Sequence, residues 1–71
     1  MIKLGTSVQL QEKQLYVVGV HSDRVRVTES KPTRKRLTRQ KKAIESIKAG
    51  NFGFVFGRLL SQSETQQLVI L

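Results

Sequence analysis

The sequence predicts a small α+β domain, on three observations. Residues 6–11 and 24–28 alternate polar and apolar with period two, the signature of half-buried strands, on either side of an almost continuously apolar run at 14–20. A basic stretch around the single proline then leads into an apolar stripe of helical spacing that stops at Gly50. The chain closes on an apolar run, 67–71, after a polar turn. The expected architecture is a small antiparallel β-meander or barrel, one basic helix and a C-terminal β-hairpin packed on the same sheet, all in a single domain spanning 1–71.

Residues 6–11, Thr-Ser-Val-Gln-Leu-Gln, alternate and read as a half-buried strand, with Glu12-Lys13 as the turn that follows. Residues 14–20 are β-branched, aromatic and almost continuously apolar, which predicts a strand buried on both faces. Gly19 within it marks a bulge or a close backbone approach. His21-Ser22-Asp23 has the composition of a turn. In 24–28, Val25 and Val27 face the core, while Arg24, Arg26 and Thr28 point to the other, exposed side.

Ser30-Lys31-Pro32 ends the sheet, because proline has no N–H for a ladder. The loop from Lys31 then carries the densest charge in the chain, and Thr38 is the expected N-cap of a helix over 39–49. Leu37, Ile44 and Ile47 form its apolar stripe, with Leu37 as a staple, and Gly50 falls at the position after the C-cap. Arg39 and Lys42 lie on one flank of the stripe, Lys41 and Lys48 on the other. In 51–60, period two puts Phe52, Phe54 and Phe56 on one strand face. Two glycines and the aromatic content favour that strand over the helical stripe Phe52, Val55, Phe56, Leu59 and Leu60. Residues 61–65 read as a polar turn, and 67–71 as a strand tucked into the sheet or into a dimer seam.

A chain of 71 residues buries only a small core, and without cysteine neither a disulfide nor a thiolate metal site can reinforce it. A 38 % hydrophobic content is nevertheless too high for a disordered tail. No run approaches the ~20 apolar residues of a membrane span. Residues 1–5 lack the apolar region of a signal peptide, so the cytoplasm is the expected compartment, or the nucleus in a eukaryote. The small core and the apolar C-terminus admit a homodimer.

The net charge is +8, which bears on partners rather than on fold. Seven of the thirteen basic residues fall in 31–42, with no acid among them. Like charge at that density repels itself, and an anionic partner relieves it. Nucleic acid ranks first, through counterion release from its phosphates; an anionic membrane surface and an acidic protein follow. Arg34, Arg36 and Arg39 are the first candidates for forked phosphate contacts. Lys31, Lys35, Lys41, Lys42 and Lys48 supply field, and Arg24 and Arg26 extend the patch onto the sheet. Enzyme chemistry is not expected. His21 is the only histidine, its pairing with Asp23 is turn chemistry, the five acids are scattered, and no metal-ligand spacing or phosphate-cradling glycine loop is present. No cofactor or metal is expected.

Three local resemblances point the same way. Phe52-Gly53-Phe54-Val55 resembles the aromatic core on which RNA-recognition motifs and cold-shock domains stack bases. The three phenylalanines read first as core, and Phe52 and Phe54 are stacking candidates if their face is open. Residues 36–51 with 57–63 are similar to the helix-turn-helix tail of resolvases and invertases, although Gln62 and Gln67 stand where that pattern has apolar residues. Residues 17–20, 25–27 and Pro32 are similar to the central hairpin of CsrA-type RNA-binding regulators, with a different spacing of the first strand. Each covers about half the chain or less. The competing class is an interaction module that covers an acidic surface or a nucleic-acid channel on a partner protein. One continuous basic stripe favours nucleic acid, and a basic patch around an exposed Phe54 or Leu71 favours a protein.

Overall fold

The computed structural model describes residues 2–71 and shows one five-stranded antiparallel sheet with one main helix. The elements run β1 (Ser7–Leu10), β2 (Lys13–Val20), β3 (Val25–Thr28), α1 (Arg34–Lys48), β4 (Arg58–Leu59), α2 (Gln62–Gln66) and β5 (Val69–Ile70). The strand order is β4-β3-β2-β1-β5. The meander β1-β2-β3 is its centre, as the alternation requires. β1 and β2 meet through the two-residue turn Gln11-Glu12, one position ahead of the expected Glu12-Lys13, with Gln11 in the left-handed region at φ 59°. Gly5 and Thr6 extend that ladder by exchanging backbone hydrogen bonds with Val17.

β2 is covered on both faces, as its apolar run implies. One face carries the core of Val8, Leu10, Leu15, Val17, Val25, Val27 and Leu60, with Ile2, Leu4 and Leu68 packed at its margin. On the other face, α1 crosses at Gly19, where an added Cβ meets Ile44 Cδ1 at 3.2 Å. The register with β3 also shifts between Val17 and Gly19, so this glycine sits at both a bulge and a close approach.

Four expectations are corrected. First, the helix begins five residues earlier than 39: Pro32 precedes the true N-cap Thr33, whose Oγ1 accepts from the Arg36 N–H at 3.2 Å. Most of the basic stretch is therefore helix rather than loop. Thr38 lies inside it, with its hydroxyl donating to the Arg34 carbonyl. Leu37 becomes the fourth helical residue, and it is half-buried over Gly5. The C-terminal end matches the reading: Gly50 has φ 87°, its N–H donates to the Ile47 carbonyl, and the Asn51 N–H donates to the Ser46 carbonyl, a Schellman closure.

Second, Phe52–Phe56 is not a strand. Residues 51–57 run back along α1 without a ladder, and pairing resumes only at β4. Phe52 and Phe54 are 82 % and 85 % exposed, so they are not core. Third, the expected polar turn 61–65 holds a short helix, α2, closed by a capping box between Ser61 and Glu64. Fourth, the two C-terminal strands do not pair with each other. β4 adds to β3 and β5 adds to β1, at opposite edges of the sheet. α2 bridges the two, and its Thr65 Oγ1 accepts from the Val25 N–H at 3.4 Å. Among the described residues no helix is long and apolar enough to cross a membrane.

Candidate functional site

α1 carries seven cations, Arg34, Lys35, Arg36, Arg39, Lys41, Lys42 and Lys48, against the single acid Glu45. Its first turn holds no acid at all. Arg34, Lys35 and Arg36 therefore stand at the positive end of the helix dipole, where basic side chains are disfavoured. The ion pairs among the described residues lie elsewhere: Lys13 with Glu29, Arg24 with Asp23 at 3.8 Å, and Arg58 with Glu64 at 3.4 Å. The α1 cations thus face solvent without acidic partners.

Helical spacing sorts them. Lys35, Arg39 and Lys42, at i, i+4 and i+7, form one exposed stripe. Arg34, Lys41 and Lys48 follow the opposite flank, where Lys41, Glu45 and Lys48 border an open groove of about 570 Å³ against Ile2, Lys3 and Leu4. Arg36 stands apart, its guanidinium carbon 4.2 Å from the centroid of the Phe56 ring. Lys31 is exposed in the lead-in to the helix.

The two sheet arginines do not form one annex on the sheet: Arg24 is exposed but lies outside β3, and α1 with residues 51–57 covers the face that carries Arg26. Arg24 precedes β3 and lies beside Asp23 in the turn. Arg26 is half-buried, and its Nη1 donates to the Gly57 carbonyl at 2.8 Å. Its role here is to anchor the end of the 51–57 segment. Beside it, His21 has its Nε2 buried without a hydrogen-bond partner.

The segment 51–57 is held against α1 by a residue not singled out in the sequence. Gln40 is 1 % exposed, the one buried polar side chain among the described residues. Its Nε2 donates to the Phe56 carbonyl at 2.9 Å and its Oε1 accepts from the Phe56 N–H at 3.1 Å. One carboxamide thus satisfies both backbone groups that a strand neighbour would have paired. Three residues earlier, Gly53 lies so close to α1 that a Cβ there would sit 2.6 Å from the Ala43 carbonyl oxygen. With Gly53 turned in, Phe52 and Phe54 turn out. Their rings meet edge to face, with centroids 5.4 Å apart and an interplanar angle of 88°. Ala43 is one turn beyond Arg39, so the segment that carries the aromatic pair passes beside the Lys35-Arg39-Lys42 stripe. The sequence signal for Gln40 was a lone polar residue three positions after Leu37 and four before Ile44, at the centre of the apolar stripe.

No family model matches the chain, and neither a curated protein nor a solved structure resembles it.

Proposed function

We propose that the chain is a non-catalytic nucleic-acid-binding module that grips phosphates through the outward faces of α1. The observation that carries this reading is seven cations on one 15-residue helix, none ion-paired among the described residues, with three at the positive end of its dipole. Such an arrangement is unfavourable in the free protein and favourable once phosphates stand opposite it. A helix of this length spans about 22 Å, enough to meet several phosphates in succession. Arginine supplies forked contacts and lysine point charges. A small regulatory or architectural role accords with the size.

The test is binding of a labelled duplex, a single strand and an RNA hairpin across a salt series, for the wild type and for Lys35→Gln, Arg39→Gln and Lys42→Gln combined. Affinity is expected to fall steeply with salt, and the triple change to flatten the log–log slope by ~2–3, about one for each lost phosphate contact. Weak binding of all three ligands that ignores both salt and the substitutions overturns the reading.

One observation favours a second reading. Phe54 stands exposed at the border of the basic stripe, an arrangement that also suits an acidic protein with an apolar pocket. On that reading, polyglutamate competes as well as an oligonucleotide of equal charge. On the nucleic-acid reading, the oligonucleotide binds far more tightly.

A further inference from the structure

We infer that the ligand is a single strand, and that Phe52 and Phe54 are the platform on which its bases stack while its backbone follows Lys35, Arg39 and Lys42. This inference rests on the phosphate-binding reading above and adds the strandedness and the base-contacting residues.

The buried hydrophobic core is built entirely of valine and leucine. Two of the three phenylalanines stand almost wholly in water, although burial is the ordinary fate of such rings. Nor are they at the tip of a free loop. The Asn51 N–H is tied to the Ser46 carbonyl, Gly53 is seated on Ala43, and Phe56 is held at both backbone groups by Gln40. The segment is thereby fixed at its start, middle and end, and the edge-to-face contact orients the two rings against each other. Rigid, exposed aromatics beside a row of unpaired cations provide the two things a single strand requires, a π-face for bases and a positive track for phosphates. A duplex keeps its base faces inside its own stack. It could use the cations but would leave both rings in water.

The experiment measures fluorescence anisotropy with labelled oligothymidylate, oligouridylate and a duplex, each of roughly 12 units, within the usual site size of such modules. The proteins are the full chain, Phe52→Ala/Phe54→Ala, Phe52→Leu/Phe54→Leu, and the Lys35, Arg39, Lys42 triple glutamine variant. The wild type is expected to prefer both homopolymers to the duplex. Both phenylalanine double variants are expected to lose at least about tenfold in single-strand affinity with the salt slope unchanged, so that the preference over duplex collapses. Upfield ring-proton shifts of the two phenylalanines on binding oligothymidylate are the matching spectroscopic sign. Unchanged melting temperatures are expected for the double variants, because neither ring is in the core.

A wild-type preference for duplex overturns the inference. So does single-strand affinity that survives in the alanine variant. If the leucine variant alone keeps full affinity, the contact is apolar filling rather than stacking, and the inference also fails. In any of these cases a salt slope that drops in the triple variant leaves the phosphate reading standing. If the wild type shows no salt-dependent binding of any ligand, that reading falls and this one with it.

Discussion

Gln40 occupies a place on the helix seam that ordinarily goes to an aliphatic side chain, and from there its carboxamide acts as a surrogate strand for Phe56. Replacing it by leucine keeps the volume and strands a part-buried N–H and C=O. The expected cost is about 1–3 kcal/mol, read as a lower urea midpoint with an unchanged m-value. An unchanged midpoint would show that water replaces the carboxamide there. Part of this was legible beforehand: the polar interruption between Leu37 and Ile44 was in plain view, but polarity alone does not say which backbone group it meets. The exposure of Phe52 and Phe54 was harder to read. Composition pulls phenylalanine inward, and only the seating of Gly53 on Ala43, a contact between distant residues, turns these two out.

Among the elements, the three central strands were the most legible, because the period of two in β1 and β3 and the continuous apolar run of β2 survive an error at a boundary. Val25 and Val27 are buried on the face the alternation assigns them. The start of α1 was not legible because the apolar signal begins only at Leu37, while the arginines and lysines before it are good helix formers whose charge resembles that of a loop. α2 is polar all round and offers no stripe, although its Ser61-x-x-Glu64 spacing is a capping box in sequence form. That box carries a pH dependence. The Ser61 backbone N–H, helped by Arg58, holds the Glu64 carboxyl below the ordinary carboxylate range, against an opposing effect of partial desolvation. Glu29 is lowered too, mainly by its hydrogen bond from Lys13. A carboxylate depressed in the folded state contributes stability above its unfolded pKa and loses it as pH falls through the folded value. Urea midpoints are therefore expected to decline on the acid side of the carboxylate range. Glu64→Gln should flatten that decline in part, with Glu29 supplying the rest. A Glu64→Gln profile parallel to the wild type would remove the capping box from this account.

At the scale of the whole molecule the governing quantity is the +8 charge in a body of 35 × 24 × 19 Å. At ~0.01 M salt the screening length is about 30 Å, so every cation feels the others. At ~0.15 M it is about 8 Å, and only neighbours interact. The melting temperature is accordingly expected to rise with sodium chloride across that range, by several degrees, since 1 kcal/mol corresponds to about 4–8 °C for a domain of this size. A fall would mean that the pairs Lys13–Glu29 and Arg58–Glu64 outweigh the repulsion within α1. β3 and β4 are antiparallel neighbours, with Arg26 opposite Leu59 and Val27 opposite Arg58, so the excursion through α1 and the aromatic segment leaves and rejoins the sheet at adjacent strands. Such an arm can be lengthened, trimmed or replaced at little loop-closure cost while the strand registers stay as they are. The arm is nevertheless seated at several points: Ile44 meets Gly19, Leu37 covers Gly5, Gly57 lies against Val18 and Val27, and Arg26 holds the Gly57 carbonyl. Any replacement that keeps those contacts can present other side chains on its outward face while the sheet stays as it is.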